Sequence, residues 1–245
     1  MTEPALAFHR RIDTALADAG LRRALALTTG RLAGGRTAAF DALPDAEVCR
    51  DEARRARAAA IAGLDSHLDR FAREATARGC TIHWAETAAD ARAIISAIAR
   101  ERGIRLAVKS KSMATEEVEL NEALEHAGVR VVETDLGEFV VQLGGDRPSH
   151  IITPIIHRSR QDVAALFQEK LNATPEEVAD IPAMTALARR VLRAEFLQAG
   201  MGISGVNLAV AESGSICIVT NEGNGRLTTT LPRVHVALLG LERIV

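Results

Sequence analysis

Two lysines and two hydroxyl groups lie together at residues 109–113 of this chain. The mostly apolar segment 105–108 predicts a strand, and the residues that follow it are Lys109, Ser110, Lys111, Ser112 and Met113. Ammonium and hydroxyl groups between a strand and a helix can hold an anionic group, as helix N-termini do. Because the segment has neither P-loop nor GxGxxG spacing, it does not specify the ligand. A polar loop with solvated lysines is the alternative interpretation.

A second polar segment lies near the C-terminus, at residues 205–233. Its first half predicts two short strands joined at Glu212-Ser213-Gly214, and its second half predicts a glycine-rich loop at 221–225 followed by β-prone residues at 227–230. The segment contains more glycine and polar residues than the closure of a loop requires, and it therefore predicts the rim of a pocket. The alternative is a tight hairpin on a sheet edge. The predicted rim residues are Asn207, Gly214, Asn221, Glu222, Gly223, Asn224, Gly225 and Arg226.

Polar residues also follow two other predicted strands. Glu133, Thr134 and Glu138 come after the strand predicted at 129–132, where Asp135 is the natural N-cap of the next helix. His157 follows the strand predicted at 150–153, although a single loop histidine is more often structural than catalytic. Because the carboxyl ends of parallel strands share one sheet edge, we expect these residues and the two segments above to meet in one cleft that prefers anions.

The composition excludes some function classes. The formal net charge is −2 and aromatic residues make up 3% of the chain, which argues against a generally basic nucleic-acid binder and against base stacking. The sequence shows neither a signal-peptide pattern nor an apolar run of membrane length, so we expect a cytoplasmic protein without membrane insertion.

The three cysteines do not form a recognisable ligand pattern. Cys49, Cys80 and Cys217 lie far apart without a CxxC motif, which argues against a disulfide framework and against a zinc or iron–sulfur site. Cys217 alternates with apolar neighbours and is predicted to be a small core residue. We therefore predict no metal site in this chain.

These candidate residues require elements that position them. Residues 1–79 are rich in alanine and arginine with an apolar stripe, which predicts a helical arm broken at Gly34-Gly35 and at 43–45. From residue 80 to 245, predicted strands and helices alternate, which is typical of an α/β fold with a mostly parallel open sheet and flanking helices. The hairpin and a strand at 234–239 are expected to add antiparallel pairing. The strands are predicted at 81–84, 105–108, 129–132 and 150–153, and the helices at 87–102, 115–127, 136–143, 159–171 and 176–199.

Four segments resemble the LUD domain of the lactate utilisation protein B family. They are VKSKSMATEEVELNEALEHAG, VVETDLGEFVVQL, PSHIITPIIHRSR and GVNLAVAESGSICIVTNEGNGRLTTTLPRVHVALLGLERIV, and the resemblance extends over essentially the whole chain. It implies a sheet related to the ribose-5-phosphate isomerase and CoA-transferase-like folds. It also implies a part in the oxidation of L-lactate to pyruvate together with two companion subunits. In such a complex we expect this domain to bind a small anionic ligand in the predicted cleft or to dock its partners.

The family pattern includes a C-terminal ferredoxin-like domain whose cysteine runs hold iron–sulfur clusters. This sequence stops at Ile244-Val245, where the linker to that domain would begin. We therefore expect the clusters to belong to a missing C-terminal domain, no cofactor in this chain, and no lactate oxidation by this chain alone.

A second function class stays open beside this electron-transfer subunit. In CoA-transferase-like folds a glutamate beside glycine can act as a covalent nucleophile, and Glu212 in Ala-Glu-Ser-Gly-Ser has a similar context. The alternative is thus a stand-alone small-molecule enzyme that uses Glu212. Because a fold analogy is a weak warrant for an activity, an orienting carboxylate is the other role for this residue.

Overall fold

The described residues of the N-terminal part form four helices. A computed structural model describes residues 3–146, 148–149, 152–220 and 222–245. The predicted break at 43–45 is confirmed, whereas the one at Gly34-Gly35 is wrong because a single helix continues through both glycines. Asp18 begins that helix by accepting a hydrogen bond from the backbone amide of Leu21 at 2.9 Å. The helices are α1 Glu3–Ala17, α2 Ala19–Asp41, α3 Ala46–Ala62 and α4 Leu64–Ala77.

The remainder of the chain alternates strands and helices. The strands are β1 Leu106–Lys109, β2 Arg130–Glu133, β3 Met201–Gly205, β4 Leu208–Val210, β5 Ser215–Cys217 and β6 Val234–Leu238. The helices are α5 Ala88–Glu101, α6 Met113–Glu117, α7 Leu120–His126, α8 Leu136–Gly144, α9 Arg160–Leu171, α10 Ile181–Gln198 and α11 Asn224–Thr230, with short 3-10 helices at Glu176–Val178 and Leu241–Arg243. None of the helices among these described residues is both long and apolar enough to cross a membrane.

Four strands form one parallel sheet in the order β2-β1-β3-β6. The α/β class with a mostly parallel sheet is thereby confirmed, while the kinship with isomerase and transferase folds stays a prediction. The expected antiparallel pairing of the last strand is wrong, because β6 runs parallel to β3. The antiparallel pair is instead the separate hairpin of β4 and β5.

Helices cover both faces of the sheet, and the strands alternate between two cores. Val108 and Val132 face α8, α9 and α10, whereas Ala107, Val131 and Ile203 face α5 and α7. Side chains of successive strand residues point to opposite faces, so strands covered on both sides are apolar almost throughout. This burial makes Lys109 and Glu133 conspicuous, because both lie at the ends of such strands and are also buried.

A third, smaller core joins α4 to the C-terminal hairpin. Phe71 and Ala75 of α4 pack with Val206, Ala209 and Ile244. Gly214, in the turn between β4 and β5, has φ of +64°, and a Cβ there would lie 2.3 Å from the backbone nitrogen of Ala75. The domain boundary at residue 79 stays a prediction, and α4 contributes to the packing on its C-terminal side.

Several predicted elements are wrong. Residues 81–84 belong to neither sheet, because Ile82 packs against the core under α4 instead of pairing. The helix predicted at 115–127 is two helices, divided at Glu119 with φ of +53°, and Ser112 caps the first. In the strand predicted at 150–153, residues 150–151 lie outside the described part, and residues 152–153 are not in a strand.

The C-terminal segment differs most from its prediction. Residues predicted as β-prone at 227–230 belong to α11, where Thr228 is buried against the sheet and the hydroxyl of Thr230 donates to the carbonyl of Arg226 at 2.6 Å. Tertiary packing here outweighs β propensity. Cys217 is exposed rather than in the core, as are the other two residues of β5.

Burial of one histidine predicts a pH dependence of stability. Ser204 and the Nε2 of His235 lie 2.9 Å apart between β3 and β6, and burial lowers the pKa of His235 below its usual value of 6.5. The unfolded chain therefore binds a proton at this imidazole more readily than the folded chain does. The contribution of His235 to the free energy of unfolding is thus fully present above about pH 6.5, and it is lost as the pH falls through the lower pKa of the folded state. We expect the urea midpoint of the wild type to fall more steeply between about pH 7.5 and pH 5.5 than that of His235→Gln. Parallel profiles of the two proteins would contradict this account.

Candidate functional site

The carboxyl ends of β1 and β3 form the point where the strand order reverses. From β1 the chain passes outward to β2, whereas β3 pairs on the opposite side of β1. The amide of Ser110 donates to the carbonyl of Ile203 at 3.0 Å. Gly205 lies so close to the next loop that a Cβ would be 2.7 Å from the hydroxyl of Ser112. Open parallel sheets bind ligands at such a switch point, so the loop at 109–113 has the expected position.

A buried ion pair spans the ends of β1 and β2. Lys109 has no exposed surface, and its Nζ lies 2.7 Å from Oε1 of Glu133. The parallel register places these two residues directly opposite each other. The ammonium also donates to Thr115 at 3.0 Å, and the amide of Asn121 donates to the same carboxylate oxygen at 2.9 Å. Such shared hydrogen bonds are needed to hold a charge pair out of water.

A glutamine of α8 completes the outer edge of this network. Gln142 accepts from the backbone amide of Glu133 at 3.0 Å and donates to the carbonyl of Val131 at 2.8 Å. It thereby satisfies backbone groups of the edge strand β2, which has one neighbouring strand in the sheet. The pair between Lys109 and Glu133 is held by three surrounding elements, which makes it rigid.

A second ion pair lies beside the first. The Nζ of Lys111 is 3.3 Å from Oε1 of Glu138, which lies in the first turn of α8. The glutamate side chain is 3% exposed, whereas the lysine side chain is 34% exposed. Asp135 caps α8 as predicted and accepts from the amide of Gly137 at 3.1 Å. Lys111 is therefore the lysine of the 109–113 loop that solvent and small molecules can reach.

The loop before α11 belongs to the C-terminal part of the chain, and it forms hydrogen bonds with residues that lie beside the two ion pairs. Glu222 accepts from the backbone amide of Leu136 at 3.1 Å, and Asn224 donates to the hydroxyl of Thr134 at 3.4 Å. Thr134 in turn donates to the carbonyl of Lys109 at 2.9 Å. Glu222 as a residue is exposed, yet its carboxylate is turned toward α8, and this desolvation raises its pKa above the usual value of 4.5. We call Lys109, Lys111, Glu133, Thr134, Glu138, Glu222 and Asn224 the strand-end cluster.

Other predicted site residues lie elsewhere. His157 is 3.1 Å from Asp146, past the C-terminal end of α8, while the cluster contacts the N-terminal end of that helix. A hydrogen bond from Arg158, which is the largest cause, lowers the pKa of Asp146, so this is an ordinary ion-pair group. Glu212 is 80% exposed, and its carboxylate lies 3.8 Å from Arg70 of α4. Nothing in that arrangement favours a nucleophilic role.

The remaining predicted residues are structural or face another side. Asn207 accepts from the amide of Val219 at 2.8 Å and so closes the hairpin that carries Gly214. Ser110 and Ser112 are buried in the loop at 109–113, where Met113 is exposed. Gly223 has φ of +82° before α11, and Gly225 is buried in its first turn. Arg226 is exposed and lines a shallow depression with residues 218–220, and Asn221 lies outside the described residues.

Residue types alone did not identify three of the side chains that hold the cluster. Thr115, Asn121 and Gln142 read as ordinary helix residues, and only their contacts show that they bind Lys109 and Glu133. The sequence contained one signal for the buried ion pair. If β1 and β2 are parallel neighbours, their register places Lys109 opposite Glu133. The Ser204–His235 pair was likewise not predicted, because two glycines and a serine among the five residues of β3 hide the strand.

The charges of the strand-end cluster almost cancel. Two lysines face three carboxylates, and Arg226 of the predicted rim has no contact with them among the described residues. An incoming anion must therefore replace an internal carboxylate rather than enter a positive pocket. Glu222 is the replaceable one, because it is exposed and lies on a loop, whereas Glu133 and Glu138 are buried.

The cysteines do not fit an iron–sulfur cluster. Cys49 lies in α3, Cys80 follows α4 and Cys217 lies in β5, and all three are exposed. In the part of the chain that the structure describes, no three His, Cys, Asp or Glu side chains are grouped so that they could hold a metal ion.

Comparison with known proteins identifies relatives over nearly the whole chain. The model of the LUD domain family matches residues 68–245. The chain is 41% identical over 237 residues to "Uncharacterized electron transport protein YkgF" of Escherichia coli (strain K12), covering 97% of this chain and 50% of that protein. It is 41% identical over 246 residues to "Lactate utilization protein B" of Bacillus pumilus, covering 98% and 51%. The chain thus spans about half the length of the curated relatives it matches, and no solved structure matches it.

Proposed function

Because this chain belongs to the LUD domain family, we propose that it is the LUD portion of a protein that takes part in the oxidation of L-lactate to pyruvate. The observation that supports this most strongly is the 41% identity to a lactate utilization protein B, which extends over 98% of the chain. The name of the E. coli relative, an electron transport protein, agrees with a redox context. In this proposal the iron–sulfur clusters belong to a further domain, and companion subunits complete the reaction in the cytoplasm.

The strand-end cluster is the proposed ligand site of this LUD portion. A small carboxylate such as lactate would take the place of Glu222, accepting from the amide of Leu136 while the exposed ammonium of Lys111 neutralises it. Lys109 has no surface to offer a ligand, so its role is to fix the ends of β1 and β2 around the site.

Two substitutions in the cluster test this role. Lys111→Met should weaken binding of lactate or pyruvate about ten- to a hundredfold, since a hydrogen-bonded charge contributes roughly 1.5–3 kcal/mol. Glu222→Gln should strengthen binding, because the competing internal charge is removed. Titration calorimetry measures both effects, and Lys170→Met, on the surface of α9, is the matched control. Growth on L-lactate of a strain that lacks its own copy should fall with Lys111→Met in the complementing gene, while growth on glucose does not.

Three results would contradict the proposal. The ligand role of Lys111 fails if all variants bind lactate equally. It also fails if no protein binds either acid while growth on lactate still depends on the gene. The lactate role itself fails if deleting the gene leaves growth on L-lactate unchanged.

A further inference from the structure

The described side chains of the first three helices form no core of their own. From residue 7 to residue 59 none of the described side chains is buried, whereas Ala60 is buried. Within the described residues, α1 contacts α2 and α3 contacts α4. Large apolar side chains are exposed along this arm, namely Phe8, Ile12, Leu16, Leu27, Leu32, Leu43, Val48 and Ile61.

Intrinsic propensity does not stabilise such an arm. The interior of helix α2 contains Gly30, Gly34 and Gly35, and each of these glycines costs roughly 0.8–1 kcal/mol relative to alanine. Helices in proteins owe most of their stability to packing of an apolar face. A Cβ added at Gly30 or Gly34 would meet nothing within 4 Å, so contacts inside this chain do not explain these glycines.

One face of α2 suits close packing against another helix. Leu27, Gly30, Gly34 and Ala38 follow one another at spacings of three and four residues and therefore share a face. Leu27 is 70% exposed on that face and can enter the space that the glycines leave open. On α1, the exposed side chains Phe8, Ile12 and Leu16 recur every four residues and form an apolar stripe.

The exposed surface is large enough for an extensive interface. The accessible surface is 15341 Å². A compact monomer of 26.2 kDa would expose about 10,600 Å², so the excess is roughly 4,700 Å². Stable obligate homodimers bury about 2,000–5,000 Å² in total, counted over both subunits. The arm therefore exposes at least as much surface as such an interface requires.

The charge pattern favours a second copy of the same chain. Residues 3–41 carry six arginines and four carboxylates, so the surface has both signs and a small net charge. A strongly acidic or strongly basic partner would require one dominant sign. We propose that two copies of this protein pair through the exposed apolar faces of α1 and α2, with Leu16 and Leu27 buried between the copies. A two-fold axis lets each arm offer the other the same apolar face.

Sedimentation of the full chain tests this dimer. The wild type should sediment at about twice the monomer mass of 26.2 kDa at micromolar concentration, and Leu16→Glu with Leu27→Glu should sediment as a monomer. Leu197→Glu is the matched control, because Leu197 on α10 is 66% exposed and lies outside the arm, and it should remain a dimer. A wild type that is monomeric at all concentrations, or a dimer that the arm substitutions do not change, overturns the proposal.

The native Cys49 provides a second measurement that does not rely on mass. In a Cys80→Ser, Cys217→Ser background, a nitroxide at exposed Cys49 of α3 reports the distance between two arms. If the arms pair, the nitroxides of the two copies give one dipolar distance distribution. This distribution should disappear in the Leu16→Glu, Leu27→Glu variant. Absence of any dipolar coupling in a protein that sediments as a dimer would show that the copies pair through another surface, and would overturn the arm interface.

Discussion

Replacing Lys109 with methionine should destabilise the protein by about 3–5 kcal/mol, because the change leaves the buried carboxylate of Glu133 without its counter-charge. The methionine fills a similar volume, so the loss comes from charge and hydrogen bonds rather than from a cavity. The carboxylate would keep the hydrogen bond from Asn121, which cannot replace an ammonium at 2.7 Å. Urea unfolding followed by circular dichroism measures the difference.

Two further variants decide the cause of that loss. Arg130→Met removes an exposed pair with Glu195 and should cost about 1 kcal/mol or less. The double variant Lys109→Met, Glu133→Leu removes both buried charges and should regain most of the stability, as buried pairs replaced by apolar groups often do. The explanation by charge is wrong if Lys109→Met lowers the free energy of unfolding no more than Arg130→Met does. It is also wrong if the double variant is less stable than Lys109→Met alone.

Gly202→Ala should destabilise the protein by about 3 kcal/mol or more, at the upper end of what an overpacked core costs. A Cβ at residue 202 would lie 1.8 Å from the backbone oxygen of Thr228, so α11 would have to move away from β3. Because α11 begins with Asn224, this movement would also remove the hydrogen bond to Thr134 in the strand-end cluster. We expect lower stability and, in the same variant, weaker binding of lactate or pyruvate.

A glycine without neighbours provides the control for this substitution. Gly35, inside α2, has nothing within 4 Å of an added Cβ, so Gly35→Ala should raise helix stability by about 0.5–1 kcal/mol. The urea midpoints of the two variants should therefore move in opposite directions. Unchanged stability of Gly202→Ala would mean that α11 is not held against β3.

Local signals sufficed for much of the fold. Asp135 caps α8 as the sequence predicts, and the helices predicted to begin at residues 87 and 159 are capped by Thr87 and Ser159, because a side chain that bonds its own helix depends on a few neighbouring residues. The apolar strands β1 and β2 were likewise predictable. In contrast, β3 contains two glycines and a serine in five residues, and its place in the centre of the sheet depends on β1 and β6 on either side.

The sequence predicted where the candidate site lies better than it predicted which side chains contact each other there. The strand-end rule brought the loop at 109–113, residues 133–138 and residues 222–224 together, as the structure does. It could not tell that Lys109 would be buried in a pair while Lys111 stays accessible, since that depends on packing of α6, α7 and α8. For Glu212 and His157, the structure places each with a charged neighbour on another part of the surface, and no local pattern distinguishes such a residue from a site residue.

The central place of β3 also has a consequence for folding during synthesis. Strands β1 and β2, with α6 and α7 between them, are complete by residue 133, whereas β3 begins at residue 201. Until the ribosome has delivered those later residues, the inner edge of β1 has unpaired backbone groups between two apolar faces. Long-range parallel pairing is slow, and an open apolar edge is a template for wrong association. The chain is therefore most exposed to aggregation while residues 134–200 are being made.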